Sequence, residues 1–166
     1  GFLRWSRSGN RWQDAFYSNN NINHSILEVA ELIRDSRRGI ILTGNLRGAQ
    51  LDGDGTDSIS STIANFAKVI GFPILAGVQS GALRREYSAV PYAEHLMKNP
   101  LVASGMQPDL ILQLGAPLIS TEISQVIKSN PSAKHVLVHQ SYPYERADPE
   151  HTITHRISSN IGSFIN

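Results

Sequence analysis

The sequence contains no cysteine, which excludes disulfide bonds, thiolate nucleophiles and metal sites with cysteine ligands. It also lacks any apolar run near the roughly 18 residues that a membrane-spanning helix needs, so we predict no membrane span. Charged residues make up only 17% of the chain, below the usual fraction of about one quarter, and the net charge is +1. So little excess positive charge argues against nucleic acid as a partner, and the low charge content suggests that other protein covers part of the surface.

Residues 1–23 are polar with scattered aromatic side chains and no continuous apolar core, which is not the pattern of a secretory signal. We interpret them as a linker or arm whose aromatic rings lie on a neighbouring surface, an adventitious tail being the alternative. Residues 24–166 then form one domain. A start in a linker rather than at a methionine is expected of a fragment of a longer protein.

Five short apolar runs are predicted strands: residues 39–48, 73–77, 109–114, 135–139 and 152–157. Continuous apolar runs that end in a turn are typical of parallel strands buried on both faces. Segments with helical periodicity separate them, and Ser25 and Ser120 are predicted N-caps of two of these helices. The alternation predicts an α/β fold, a Rossmann-like three-layer sandwich with a mostly parallel sheet of five or six strands. We expect residues 39–48 to contain its central strand.

No cofactor motif is complete in this sequence. Gly44 and Gly48 follow a predicted strand, but their G-x-x-x-G spacing is not the G-x-G-x-x-G that opens a helix on a dinucleotide, and there is no P-loop. Residues 52–57 superficially resemble a calcium loop without its closing glutamate. The six histidines lack metal-ligand spacing; His135 and His139 share one face of a strand but stand too far apart, so we predict no metal site.

The carboxyl edge of the predicted sheet is where ligands bind in open α/β folds. It is marked by three glycine turns: Gly44, Gly77 and Gly115. Ser80, Arg84 and Arg85 follow the second strand and Arg146 follows the fourth, so we predict a substrate-facing or anion-binding site from these four residues. In the alternative interpretation Arg146 pairs with Asp148 and the other two arginines face solvent or a partner domain. Ser80 has no G-x-S-x-G elbow, and we predict no catalytic residue.

The order of these motifs resembles the central domain of thiamine-diphosphate-dependent enzymes. Within that superfamily it is most similar to the MenD family, the 2-succinyl-5-enolpyruvyl-6-hydroxy-3-cyclohexene-1-carboxylate synthases and their plastid form. The resemblance covers residues 24–166 and implies the DHS-like NAD/FAD-binding type of Rossmann-like fold. It is carried by residues 39–48, 71–76, 80–84, 108–115, 135–138, 148–149 and 154–157.

The resemblance implies three α/β domains, of which the flanking two are the partners of this one. One flanking domain binds the pyrimidine of thiamine diphosphate and the other binds its diphosphate through magnesium, so no cofactor is expected in this fragment. The family enzyme is a transferase of menaquinone and phylloquinone biosynthesis. It decarboxylates 2-oxoglutarate and adds the succinic semialdehyde unit to isochorismate, as a homo-oligomer in the bacterial cytoplasm or the plastid. The fragment alone is then inactive.

Two alternatives stay open beside that scaffold role. Related central domains hold FAD or ADP, so the chain is alternatively a free-standing module that binds FAD, NAD or ADP. A third interpretation is an arginine-lined regulatory site for a small anion.

The sequence departs from the family pattern in three ways. Members commonly carry aspartate where Gly77 and His139 stand, and many carry a substrate-facing basic residue or pair where Thr121 and Glu122 stand. A carboxylate at that last position would weaken the binding of a polyanionic substrate. Either the substrate contact has moved, for instance to Arg84, or the alignment is locally shifted, or this member has diverged. Gly53-Asp54-Gly55 copies part of the family's magnesium motif in a loop, which we interpret as coincidence.

Overall fold

The computed structural model describes residues 14–16, 22–46, 59–85, 88–140 and 151–166. The strands are β1 (Asp14–Phe16), β2 (Gly39–Thr43), β3 (Ile74–Ala76), β4 (Leu110–Leu114), β5 (Lys134–Val138) and β6 (His155–Ile157). The helices are α1 (Ile22–Asp35), α2 (Ile59–Ile70), α3 (Ala93–Met97), α4 (Pro100–Gly105), α5 (Thr121–Ser129) and α6 (Ile161–Ile165). A 3-10 segment, Val78–Arg85, follows β3 and is interrupted at Gly81.

All six strands run parallel in one sheet with the order β1-β6-β5-β4-β2-β3. The predicted α/β class with a parallel sheet is thereby confirmed. The expectation that residues 39–48 hold the central strand is wrong, because β2 is second from one edge. The chain returns from β3 to place β4 on the other side of β2 and then adds β5 and β6 outward, so that β4 and β5 lie in the middle.

Helices cover both faces of the sheet. On one face α1, α2 and α6 pack against alternate strand residues such as Ile41, Leu112 and Val136. On the other face α3 and α5 pack against the intervening residues, including Leu42 and Ile111. All five residues of β2 and all five of β4 are buried, and apart from Thr43 and Gln113 they are apolar, so neither strand alternates between apolar and polar residues.

Three local elements differ from the sequence prediction. Asp14–Phe16, within the predicted arm, forms an edge strand that pairs with β6; main-chain hydrogen bonds hold such a short edge strand, so apolar periodicity does not signal it. Helix α1 begins at Ile22, so Ser25 lies inside the helix and is not its N-cap. A short helix that the sequence did not predict starts at Pro100; Asn99 caps it by accepting a hydrogen bond from the Leu101 amide at 3.0 Å. The boundary between arm and domain stays a prediction.

Other predicted features match the structure or lie outside it. Ser120 is the N-cap of α5, and its hydroxyl accepts a hydrogen bond from the Ile123 amide at 3.3 Å, which confirms that prediction. The calcium-like residues 52–57 lie outside the described residues. None of the helices in the described ranges is long and apolar enough to cross a membrane.

Asp109 ties the amino edge of the sheet to the end of α1. Its carboxylate accepts hydrogen bonds from the Ser36 hydroxyl, the Arg37 amide at 2.9 Å and the Arg38 amide at 3.1 Å. Partial burial pushes the pKa of Asp109 up, but these three hydrogen bonds and one from the amide of Asp109 itself together outweigh burial and hold the pKa below its ordinary value. The turn between α1 and β2 therefore rests on an ionised carboxylate.

Replacing Asp109 with alanine should lower the free energy of unfolding at pH 7 by about 1 kcal/mol, a value reduced for the solvent exposure of this side chain. Because the folded-state pKa is depressed, the contribution is full above the unfolded-state pKa of about 3.9 and disappears as the pH falls through the folded-state value. Urea unfolding of the unchanged protein and of Asp109→Ala at pH 7, 5 and 2.5 measures whether the difference between their free energies of unfolding shrinks as the pH falls. The control is Asp35→Ala, which removes only an exposed pair with Arg34 and should change little.

Candidate functional site

The sheet has a topological switch point between β2 and β4. Helix α2, which follows β2, packs on one face of the sheet, and helix α5, which follows β4, packs on the opposite face. The connections that leave these two neighbouring strands therefore diverge at the carboxyl edge of the sheet. In open α/β sheets the crevice outside such a point is the usual ligand site. Gly44 and Gly115 are the first residues after these two strands, at the place where the sequence predicted glycine turns.

Main chain fills this crevice. The Gly44 amide donates a hydrogen bond to the Leu114 carbonyl at 3.0 Å. A Cβ on Gly44 would lie 2.8 Å from the carbonyl oxygens of both Gly115 and Pro117. A Cβ on Gly115, whose φ is +78°, would lie 2.5 Å from the Asn45 carbonyl oxygen. The two turns touch through their backbones, and no space for a ligand group remains between them.

A larger cavity of about 520 Å³ opens beside this contact, between the start of α2, the turn after β2 and the 3-10 segment. Polar side chains in its lining are Asn45, Ser60, Gln79 and Ser80. Ser80 itself is buried, with only 3% of its surface exposed, and its hydroxyl contacts the Thr43 hydroxyl and donates to the Thr43 carbonyl at 3.2 Å. The hydroxyl of Ser80 thus links the end of β2 to the segment after β3.

The predicted site residues are only partly placed. Ser80 and Gly77 follow β3 at the same carboxyl edge as Gly44 and Gly115. The backbone of Arg84 and Arg85 ends the 3-10 segment, but their side chains lie outside the description, as does the whole of Arg146. The anion-binding role of these residues therefore stays a prediction.

Glu122, where the resemblance led us to expect a basic residue, has a local structural role. It lies in the first turn of α5, where the helix dipole favours an anion. The hydrogen bond from its own amide lowers the pKa of Glu122, partial desolvation opposes this, and Lys98 with its ammonium 3.8 Å away adds to the lowering. The carboxylate stabilises the start of α5, and Thr121 is the first residue of that helix.

Two histidines belong to a buried polar network that the sequence analysis missed. The His135 ring contacts the Gln113 amide oxygen through Nε2 and the Thr152 hydroxyl through Nδ1, each at 3.0 Å. The His155 ring contacts Thr154 at 2.8 Å and the Glu28 carboxylate at 3.5 Å. A glutamine and a histidine on neighbouring, otherwise apolar strands were the available signal. Within the described ranges no group of three or more histidine, aspartate or glutamate side chains is placed to hold a metal ion.

Comparison with known proteins gives one family and a set of relatives. The family described as "Middle domain of thiamine pyrophosphate" matches residues 2–166. The chain is 26% identical over 151 residues to "Protein PHYLLO, chloroplastic" of Arabidopsis thaliana, covering 85% of this chain and 8% of that protein. It is 27% identical over 139 residues to the 2-succinyl-5-enolpyruvyl-6-hydroxy-3-cyclohexene-1-carboxylate synthase of Rubrobacter xylanophilus, covering 82% of this chain and 22% of the synthase.

The same synthase of Chlorobaculum tepidum is 25% identical over 151 residues, which cover 90% of this chain and 24% of the synthase. The chain thus spans less than a quarter of each of these three relatives. Among solved structures, "Structure of Sir2Tm bound to a propionylated peptide" matches with a TM-score of 0.54 and 12% identity, over 84% of this chain and 95% of that one. A likeness at that identity concerns the fold alone.

Proposed function

Since the chain belongs to the family of middle domains of thiamine pyrophosphate enzymes, we propose that it is the non-catalytic central domain of a MenD-like synthase. The observation that carries this proposal is the match of the family to residues 2–166, together with relatives that are named as this synthase or as PHYLLO. The complete protein would be a transferase of menaquinone or phylloquinone biosynthesis, acting in the bacterial cytoplasm or the plastid. It would decarboxylate 2-oxoglutarate and add the resulting unit to isochorismate.

Thiamine diphosphate, another name for thiamine pyrophosphate, would be bound by the flanking domains in this proposal. The described residues offer no group of carboxylate and histidine side chains suited to magnesium. The crevice at the switch point is filled by the Gly44 and Gly115 turns, which favours a scaffold over a pyrophosphate cradle. These features do not fit the cofactor, and we assign no step of the reaction to this chain.

The contribution of this domain would be to present the 3-10 segment after β3 to the active site of the neighbouring domains. Arg84 and Arg85 end that segment, and a guanidinium there would take a carboxylate of the substrate in two parallel hydrogen bonds. Arg146 would add a third cation from the loop after β5. The partners are the pyrimidine- and diphosphate-binding domains of the same protein, which would act as a homo-oligomer.

Calorimetric titration with thiamine diphosphate and magnesium tests the scaffold role. The 166-residue chain should give no binding heat, whereas a longer protein that joins it to the proposed flanking domains should bind with an ordinary cofactor affinity. Micromolar binding to the chain alone would overturn the scaffold role. Failure of the longer protein to bind would overturn the assignment to a cofactor-dependent synthase.

A free-standing nucleotide-binding module is the second candidate, and the cavity of about 520 Å³ at the carboxyl edge is the observation that favours it. A yellow preparation, or a rise in the melting temperature of the chain with FAD, NAD or ADP, would decide for this candidate. A melting shift with small anions alone, lost in Arg84→Ala, would instead indicate the arginine-lined regulatory site.

A further inference from the structure

A cavity of about 370 Å³ lies at the opposite end of the sheet from the switch point. Its lining includes Ala133, which directly precedes β5, and Thr152 and Ile153, which precede β6. Ile111 near the start of β4 and Ile127 in α5 complete its apolar wall. A volume of this size is within the range of small-molecule sites in proteins.

Two separate apolar clusters border this cavity. Ile111, Ile127 and Ala133 belong to the cluster between α5 and the sheet. Ile153 belongs to a smaller cluster, in which it packs with Ala116 and with a residue of β5. Because the cavity is lined from both clusters, an apolar group inside it would join them and remove apolar surface from water on both sides.

The histidine and threonine side chains in the wall already have partners within the protein. The His135 ring contacts Gln113 through one nitrogen and Thr152 through the other, each at 3.0 Å. The Thr154 hydroxyl accepts a hydrogen bond from the His135 amide at 3.0 Å. Among the described residues that line the cavity, none is an acid, a lysine or an arginine, so the wall favours an uncharged ligand.

Asn130 supplies one directed polar group to the lining of the cavity. Its amide nitrogen donates to the Val126 carbonyl at 2.8 Å and to the Met106 carbonyl at 3.2 Å. These two bonds use both hydrogens of the amide and fix its orientation. The Oδ1 atom of Asn130 is then the atom of this amide that can accept a hydrogen bond from a ligand.

We propose that this cavity binds a small uncharged molecule with an apolar ring and one hydroxyl group, a phenol in its simplest form. The ring fills the gap between the two apolar clusters, and the hydroxyl donates to Asn130 Oδ1. The site is independent of the proposed synthase role, because it lies at the amino ends of the strands whereas the 3-10 segment and the switch point lie at the carboxyl ends.

Titration of the 166-residue chain with 4-fluorophenol, followed by NMR of its isoleucine δ1 methyl groups, tests this site. The methyl signals of Ile111, Ile127 and Ile153 should shift until the site is saturated, with a dissociation constant of about 1 mM for so small a ligand. Ile41 and Ile157 lie in the cluster on the opposite face of the sheet and should not respond. Fluorobenzene, which lacks the hydroxyl, should bind about two- to tenfold more weakly.

A matched pair of variants checks the location. Ala133→Leu places a larger side chain in the cavity and should abolish saturable binding of 4-fluorophenol. Ser132→Leu adds the same side chain at the neighbouring exposed position, which does not line the cavity, and should leave binding unchanged. If Ala133→Leu does not fold, the methyl shifts of the unchanged chain decide.

The proposal is overturned if the shifts of Ile111, Ile127 and Ile153 do not saturate, or if Ile41 and Ile157 shift equally. Unaltered binding to folded Ala133→Leu has the same meaning. Equal affinity for fluorobenzene would refute the hydroxyl contact, and tighter binding of 4-fluorobenzoate would refute the preference for an uncharged ligand.

Discussion

Replacing Gly115 with alanine should cost about 3 kcal/mol or more of the free energy of unfolding, a large share of the 5–15 kcal/mol of an ordinary domain. Two effects add at this position. The residue has a φ of +78°, in the left-handed region that costs a residue with a Cβ about 1–2 kcal/mol. The new Cβ would also lie 2.5 Å from the Asn45 carbonyl oxygen, so the turn after β2 would have to move.

Gly71→Ala is the matched control for Gly115→Ala. Gly71 has nearly the same φ, +75°, but nothing lies within 4 Å of its Cβ position, so only the backbone cost of about 1 kcal/mol should remain. Gly105→Ala, at the end of α4 with an ordinary φ and open space, should change stability little. Chemical unfolding of the three variants measures the difference. Equal losses for Gly115→Ala and Gly71→Ala would mean that the two strand-end turns are not in tight contact.

Gln113→Leu should lower the free energy of unfolding by about 3 kcal/mol, since it removes two hydrogen bonds between buried groups at about 1–3 kcal/mol each. The Gln113 amide donates from Nε2 to the Gly115 carbonyl at 3.1 Å and accepts at Oε1 from His135 at 3.0 Å. Because the carbonyl can only accept, the amide orientation is fixed, and His135 Nε2 is the donor to Gln113 Oε1. Leucine fills the space of Gln113 but serves neither neighbour.

A double-mutant cycle isolates the pairing of Gln113 with His135. Removing both partners, in Gln113→Leu with His135→Leu, should cost less than the sum of the single losses because each single change already removes the hydrogen bond that joins the two side chains. The cycle is read by urea unfolding at pH 7.5. Strict additivity would contradict a direct hydrogen bond between the two side chains.

The sequence was sufficient to predict those elements of the fold that are determined by residues close together in the chain. Buried strands such as β2 and β4 are continuous apolar runs, α2 follows its helical stripe, and Ser120 caps α5 as predicted. Strand order was not accessible in this way, because the position of β4 beside β2 depends on packing between segments distant in sequence. Short elements were missed for a related reason: β1 is held by main-chain hydrogen bonds and α4 by a single cap, and neither produces a periodic pattern.

In the candidate site, too, the sequence indicated the local features but not those that depend on contacts between distant segments. Glycines at the strand ends identified the carboxyl edge, but spacing alone gave no indication that Gly44 and Gly115 fill the crevice with main chain. Likewise, Gln113 and His135 read as isolated polar residues until the register of β4 against β5 makes them neighbours.

The pairing of β1 with β6 has a consequence for synthesis on the ribosome. Asp14 is made early, yet its partner His155 is among the last residues of this segment to be made. At a translation rate of about 5–20 residues per second, β6, the strand with which β1 pairs, is synthesised roughly seven to thirty seconds after β1. The other strands can assemble meanwhile as their neighbours emerge, so β1 joins the sheet last although it is translated first.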